Sequence, residues 1–444
     1  MPSYYLTTFG CQMNEHDSER IRGVLEEDGW QPASGPETAD LLVFNTCAVR
    51  KSAENRLLGR LGEASRLKKE NPGRLVALGG CFAQRRREKL FNELPFLDVA
   101  FGPRSIAELP RLLANATAGS RSAAPAPSYS FESKPTLSAD LPVRRSDRFR
   151  AWVQVMSGCT NCCSYCVVPS VRGPERSRPA ADIVAEVERL VDDGVAEVTL
   201  LGQNVNAYGL DLEKDSPGRL TFSGLLHRLD AISGLERIRF TTSHPRDLND
   251  DLIAAIRDLP GVCEHLHLPV QSGSTHVLGR MKRGYTRDEY LALAERLYEA
   301  VPELALTTDI IVGFPGEREE DFYRTTTLVE RIRFDGAFTF VFSSRPGTEA
   351  AGLPGKVPEK AIRRRMRELV SLTQRLAQAK NRQLIGRQLP VLVEGSSRHA
   401  GGQMRGRTRT NKIVNFSGAA GAGQVVDVTI DSATSTTLGG RQAC

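Results

Sequence analysis

Four cysteines stand together at Cys159-Thr-Asn-Cys162-Cys163-Ser-Tyr-Cys166. They follow directly on FRAWVQVM (149–156), a run that reads as a buried strand. Four thiols this close could serve zinc, but the side chains of the adjacent Cys162 and Cys163 diverge and suit a single tetrahedral ion poorly. Three of the four suit an iron–sulfur cluster, whose protein ligands are thiolates. Two registers are open: Cys159, Cys163 and Cys166 (C-x3-C-x2-C), or Cys159, Cys162 and Cys166 (C-x2-C-x3-C). Three ligands leave one iron of a four-iron cluster open, and an open position is what a catalytic metal needs to bind substrate directly.

A second set of cysteines is spread along the first part of the chain. Cys11 ends the apolar run in TTFGCQMN, Cys47 ends VFNTCAV, and Cys81 ends LGGCFAQ. Neighbouring parallel strands bring their carboxyl ends to one crevice. The three thiols are therefore expected side by side, as a second cluster site with one iron unclaimed. One buried thiol would be ordinary core packing; three at the same topological position are not. Cys263 opens a buried strand and reads as core, and Cys444 as an idle terminal thiol.

The elements that position these residues alternate. YYLTTFGC (4–11), ADLLVFNTC (39–47) and RLVALGGC (74–81) read as strands, separated by helical patterns over 17–29 and about 51–71. This order predicts a parallel sheet with helices on both faces, residues 1–113. Residues 114–147, rich in Ala, Ser and Pro, read as a linker. From about 148 six further strands are expected: 149–156, 196–202, 237–243, 264–270, 304–314 and 336–343. The helix between the first two, DIVAEVERLVDDG, puts Ile183, Val184, Val187, Leu190 and Val191 on one face. Six such units imply a partial or full (β/α) barrel, 148–382 with a trailing charged helix, whose active site lies at the strands' carboxyl ends. Residues 383–444 carry short strands between Gly-rich turns and read as a small antiparallel barrel. The fold class is thus α/β throughout, closed by that all-β tail.

Composition bounds the class. The 444 residues are 40% hydrophobic and 25% charged, ordinary for a globular protein, so a disordered or fibrous chain is excluded. The net charge of +6 is mild, so nucleic-acid contact should be local. No secretory signal and no membrane-length apolar run is read, so a cytoplasmic location is expected. There, nine cysteines point to metal or redox chemistry rather than structural disulfides.

A C-x3-C-x2-C motif after the first barrel strand resembles the radical S-adenosylmethionine (SAM) superfamily, and the register Cys159/Cys163/Cys166 is the one that matches. The whole chain resembles the methylthiotransferases of that superfamily. The resemblance rests on TTFGCQMNEHDSER (7–20), FNTCAVR (44–50), CVVPSVRGPERSRP (166–179), LLGQNVNAYG (200–209), TSHP (242–245), LHLPVQSGS (266–274), MKRGYTR (281–287), DIIVGFPGE (309–317) and SSRPGTEAA (343–351). It implies a cluster domain, a radical SAM barrel and a C-terminal TRAM barrel. It also implies two 4Fe-4S clusters, on Cys159/Cys163/Cys166 and on Cys11/Cys47/Cys81, with SAM used both as radical source and as methyl donor.

The implied reaction replaces the C2 hydrogen of N6-isopentenyladenosine, at position 37 in the anticodon loop of tRNA, by a methylthio group. Such a C–H bond has no useful acidity, so a general base cannot open it, whereas a radical can. LGQNVNAYG sets this branch apart from relatives acting on a ribosomal-protein aspartate or on threonylcarbamoyl-adenosine in tRNA, which remain the alternative. Expected SAM contacts are Gln203, Asn204, Ser243, Gln271 and Asp309, with Gly313 and Gly316 allowing close backbone approach. Arg172 and Arg178 are candidates for SAM carboxylate or RNA phosphate, with surface ion pairing as the other reading. The resemblance also implies an external electron donor and a sulfur source, and a monomer suffices. The tail holds seven cations (Arg387, Arg398, Arg405, Arg407, Arg409, Lys412 and Arg441) against Glu394, Asp427 and Asp431. With the TRAM resemblance they are expected to contact phosphate, joined by Arg363, Arg364, Arg365 and Arg367.

Overall fold

The computed structural model describes residues 1–48, 51–119, 127–131, 141–213, 218–397 and 401–443. Val49 and Arg50 of the FNTCAVR motif, Arg398 and Cys444 lie outside the described residues. The chain forms two compact units. One is Met1–Ser146 with Met156–Thr160 and Val167–Arg178; the other is Asp147–Val155 with Asn161–Cys166 and Pro179–Cys444.

The first unit is built on β1 (Ser3–Phe9), β2 (Gln31–Pro32), β3 (Leu41–Thr46), β4 (Leu75–Gly79), β5 (Val99–Phe101) and β6 (Ser128–Ser130). They form one sheet in the order β2-β1-β3-β4-β5-β6, and every pairing is parallel. All of β3 is buried because both faces are covered. Leu42 and Phe44 pack with Leu57 and Leu61 of α2 (Lys51–Glu70), while Leu41 and Val43 pack with Ile21 and Leu25 of α1 (Gln12–Glu27).

The segment expected as a linker is in part structured. Helix Leu109–Gly119 runs into it, and β6 adds an edge strand in register with β5, Val99 opposite Ser128. Backbone pairing holds β6, including Ser128 N–H on Asp98 O at 2.9 Å, and a Ser-rich composition does not reveal that. Further on, the carbonyl of Pro142 lies so close to Gly23 that a Cβ there would come within 2.1 Å of it.

In the second unit β7 (Arg150–Gln154) follows. The short pair β8 (Met156–Ser157) and β9 (Arg176–Ser177) belongs to the first unit. Then come β10 (Glu197–Leu201), β11 (Arg237–Phe240), β12 (His265–His267), β13 (Ala305–Val312) and β14 (Gly336–Val341). The parallel sets β7-β10-β11 and β12-β13-β14 are joined by a bridge between Ile238 and Val262. The result is an open row of six strands, a partial barrel. The helix Ala180–Asp192 buries Ile183, Val187 and Leu190.

The tail closes a barrel of β15 (Gln388–Ser396), β16 (Met404–Thr408), β17 (Ile413–Ser417), β18 (Val425–Ala433) and β19 (Thr437–Gln442). Its core is Val391, Val393, Val414, Phe416, Val428, Ile430 and Leu438.

The loop between β16 and β17 plugs the amino end of the partial barrel. Arg239 is buried, donates to Glu197 at 2.8 Å, and reaches the carbonyls of Arg409 and Thr408 at 2.7 and 2.8 Å. Arg237 donates to the carbonyl of Arg407 at 2.9 Å. Arg409 grips Glu264 through Nε and Nη2, and Lys412 Nζ lies 2.8 Å from Asp335. We expect Arg239→Ala to destabilise this unit by ~3–5 kcal/mol, because Glu197 and two carbonyls lose their buried partner. A Tm fall of several degrees in calorimetry checks this; an unchanged Tm contradicts the plug.

Candidate functional site

In the first unit the ends of three adjacent strands carry the three cysteines. Cys11 follows β1 and caps α1, Cys47 follows β3, and Cys81 follows β4 as the first residue of the helix Cys81–Arg86. Glycine makes two of these exits possible. Gly10 precedes Cys11 at φ +153°, and a Cβ there would lie 2.2 Å from Asn14 Oδ1 and 2.8 Å from Cys47 Cβ. Gly80 precedes Cys81 at φ +90°, and its Cβ would lie 2.4 Å from Asn45 Oδ1.

The thiols share one electrostatic setting. Cys11 is hydrogen-bonded to Cys47, which lowers its pKa to about 6 against the opposing effect of burial; Arg172 and the backbone N–H groups of Asn14 and Met13 help. Burial pushes the Cys81 thiol up, while Arg172 pulls it the other way. Arg172 is itself buried: its Nε donates to Cys81 Sγ at 3.3 Å and its Nη2 to Asp17 Oδ2 at 2.7 Å. Burial works against its charge, but Cys81, Asp17 and Cys11 outweigh it and hold the pKa above the ordinary value. Asp17 is held low, since Arg172 and His16 outweigh its burial.

This places Arg172 differently from the expected SAM, phosphate or surface role: it is an interior partner of the cysteine site. Asp17 and Asn14 are the functional candidates that sequence reading missed. Both fall inside the TTFGCQMNEHDSER motif, and Asp17 is an acid on the opening turns of a helix that starts at a cysteine. Buried Asn14 and Asn45 brace that helix, with Asn45 Nδ2 donating to Asn14 O at 2.9 Å.

Among the described residues no three His, Cys, Asp or Glu side chains converge as ligands of one metal ion. A four-iron cluster takes each thiolate on a different iron, which demands no such convergence. Three thiols, one already favouring the thiolate form and one facing a buried cation, fit that group.

The second cysteine motif is divided by its surroundings. Cys159 belongs to the first unit, where its N–H donates to Gly173 O at 3.0 Å. Cys163 and Cys166 belong to the second. Arg283 Nη1 donates to Cys163 Sγ at 3.4 Å, and the same guanidinium donates to Pro269 O at 3.0 Å and to the Tyr285 hydroxyl at 3.0 Å. Cys162 is exposed, whereas Cys163 is half-buried. Ser164 fastens the loop from Asn161 to Cys166, its hydroxyl donating to Arg280 O at 2.8 Å.

Around the carboxyl ends of β10 to β13 lie the other expected contacts. Asn204 is buried and donates to Asp247 at 2.7 Å; Gln203 sits half-buried beside it. Ser243 and His244 are buried, and among the described residues neither Ser243 Oγ nor His244 Nε2 has a hydrogen-bond partner. Burial, with Arg283 and Arg246 nearby, lowers the His244 pKa to about 2, so its ring is neutral. Thr242 and Gln271 hold φ of +71° and +68°, conformations L residues rarely take. Such strain concentrates at functional sites. Gln271 pairs with β13, its N–H on Asp309 O at 2.8 Å, and Asp309 Oδ1 stands 3.5 Å from His267 Nε2. Gly313 and Gly316 do allow close approach, but to Ile362 and Arg280 of the same chain. Buried polar atoms without partners, beside a cysteine loop, suit a polar ligand such as SAM.

The expected phosphate contacts are largely engaged elsewhere. Arg405 and Arg407 pair with Glu394, Arg387 with Glu303, and Arg441 with Asp431 at 3.4 Å. With Arg409 and Lys412 in the plug, every described cation of the tail set has an acidic partner. Arg363, Arg364 and Arg365 pair with Glu359, Glu319 and Glu317. Arg367 is exposed and forms no ion pair among the described residues.

Residues 3–102 match the uncharacterized protein family UPF0004, residues 153–329 the radical SAM superfamily, and residues 382–442 the TRAM domain. A tRNA-2-methylthio-N(6)-dimethylallyladenosine synthase of Thermoanaerobacter pseudethanolicus is 46% identical over 417 residues, covering 94% of this chain and 87% of that one. The enzyme of the same description from Carboxydothermus hydrogenoformans is 47% identical, covering 94% and 93%. Among solved structures, the radical SAM methyltransferase TsrM from Kitasatospora setae, with cobalamin and a [4Fe-4S] cluster bound, superposes with a TM-score of 0.56 at 15% identity. That match covers 79% of this chain and 74% of that one, and at this identity it speaks for the fold alone.

Proposed function

The chain belongs to the radical SAM methylthiotransferases described as tRNA-2-methylthio-N(6)-dimethylallyladenosine synthases, and on that footing we propose that it methylthiolates C2 of N6-isopentenyladenosine at position 37 of tRNA. Cys159, Cys163 and Cys166 would hold the cluster that binds SAM, and Cys11, Cys47 and Cys81 an auxiliary cluster. When bound, the first cluster and SAM supply a radical able to remove an unactivated hydrogen, and the auxiliary cluster supplies the sulfur.

The protein's own residues position and shield. Arg283 orients the Cys163 sulfur and ties its loop to Pro269. The Ser243 hydroxyl and neutral His244 ring offer polar atoms that nothing else in the described chain occupies. Gln203, Asn204, Gln271 and Asp309 complete the proposed SAM contacts. An electron donor and a sulfur source from outside the chain belong to the reading, as does a cytoplasmic setting; among the described residues no helix is long and apolar enough to cross a membrane. At ~0.8 kcal/mol per buried CH2, the five-carbon prenyl group contributes at most about 3–4 kcal/mol, two to three decades of preference.

The observation that carries the reading is the trio of cysteines at three adjacent strand ends, with a buried arginine on one sulfur. Anaerobic incubation with reductant, SAM and tRNA bearing N6-isopentenyladenosine tests it. Mass spectrometry of the digested nucleosides should show the 2-methylthio product; its absence with active SAM cleavage would overturn the substrate assignment.

Affinity for tRNA should fall with salt, as phosphate contacts require. Because Arg409 and Lys412 serve the plug, Arg409→Ala is expected to lower Tm while leaving the slope of log K against log[salt] unchanged. A shallower slope in that variant would return the loop to the RNA surface. Deleting 383–444 tests stability rather than binding, since it opens the barrel's amino end.

A further inference from the structure

The first unit buries a cation–anion pair whose cation touches a sulfur. Arg172 Nε donates to Cys81 Sγ at 3.3 Å and its Nη2 to Asp17 Oδ2 at 2.7 Å, with both charged side chains almost wholly buried. Asp17 lies on α1, which begins just after Cys11, while Arg172 ends the short helix Val168–Arg172 beyond the other cysteine motif. Val167 and Val171 of that segment pack on Ala48 and Cys81, so apolar side chains close over the contact. Gly173, next along the chain, leaves the room that a Cβ would take from Arg104, 2.8 Å away. Burying an arginine is costly unless it is paired and hydrogen-bonded. Here the guanidinium is divided between a carboxylate, which fixes its plane, and one of three clustered thiols.

We infer that Arg172, oriented by Asp17, is a positioning residue that sets the reduction potential of the auxiliary cluster through its hydrogen bond to the Cys81 thiolate. The inference rests on the proposed function, in that it takes Cys11, Cys47 and Cys81 to be cluster ligands. Hydrogen bonds to ligand sulfurs and nearby charge set such potentials. Reduction adds one electron to the cluster, and a buried cation on a ligand sulfur favours the more negative state. Without it the cluster is harder to reduce.

The test uses the full chain with Cys159, Cys163 and Cys166 all replaced by Ala, so that only the auxiliary cluster is built. Iron content and an EPR-monitored redox titration are compared with and without Arg172→Gln, Arg172→Lys and Asp17→Asn. Arg172→Gln should make the midpoint more negative, shifting the reduction equilibrium at least about tenfold, ~59 mV for a one-electron couple. Arg172→Lys, which keeps the charge but not the fork, should recover part of the shift, and Asp17→Asn, which removes the buried anion while its amide oxygen still accepts from Arg172, should move the midpoint the opposite way. Unchanged midpoints in the clusters that Arg172→Gln and Asp17→Asn retain would overturn the inference, whatever happens to occupancy. If the parent variant with Arg172 intact holds no four-iron cluster, the auxiliary-site reading itself fails and the inference falls with it.

Discussion

Replacing Cys163 by Ala is expected to abolish reductive SAM cleavage. Formation of 5′-deoxyadenosine should fall by at least about 10³, or ~4 kcal/mol of activation free energy. The size follows from the chemistry. Reductive cleavage of a sulfonium needs one electron, which no amino-acid side chain supplies, so nothing else in the chain can substitute for the cluster. The Cys163 sulfur also takes a hydrogen bond from a buried arginine, Arg283, at 3.4 Å. Cys162, beside it, is exposed. Cys162→Ser should therefore retain cleavage, and this contrast separates the two registers the spacing allows. Cleavage that survives Cys163→Ala but not Cys162→Ser would reverse the assignment.

Replacing Cys47 by Ala should split the reaction. Deoxyadenosine should still form, because the trio at Cys159, Cys163 and Cys166 is untouched. The 2-methylthio nucleoside should disappear, and iron should drop by about four atoms per chain, one cluster's worth. Cys47 is the buried thiol hydrogen-bonded to Cys11, so its loss removes one proposed ligand and the hydrogen bond that lowers its neighbour's pKa. The backbone beside it is tightly packed: Gly10 and Gly80 fit their places only because they lack a Cβ. Methylthio product from Cys47→Ala would remove the auxiliary site from the mechanism.

The parts of this fold that were legible in the sequence share a physical reason. The strand over 41–46 is buried on both faces, which the apolar run Leu41–Phe44 announces in the sequence. The cysteines at 11, 47 and 81 could be placed together because parallel strands in a doubly wound sheet present their carboxyl ends to one side. What stayed hidden depends on partners far along the chain. The edge strand Ser128–Ser130 has no apolar signature, since pairing with Val99–Phe101 holds it. Strands Met404–Thr408 and Thr437–Gln442 read as MRGRT and TLGGRQ, and only the closed barrel gives their Gly and Arg residues a place.

Arg172 and the tail cations are the clearest cases. Arginine is ordinarily exposed, so counting charges points to a surface. A count does not see that Asp17 awaits Arg172, or that Glu264, Asp335 and Glu394 await Arg409, Lys412 and Arg407. The mild net charge was a hint in the same direction: cations matched by acids leave little excess for a phosphate surface.

The proposed chemistry requires two iron–sulfur cubes on one chain, each on three cysteines. Mössbauer spectroscopy of anaerobically purified, ⁵⁷Fe-reconstituted protein, with iron and sulfide quantified on the same sample, addresses it most directly. About eight iron and eight sulfide per chain are expected, all in four-iron clusters, falling to about half in the variant lacking Cys11, Cys47 and Cys81. About four iron in the intact protein, unchanged by removing those three cysteines, would contradict it.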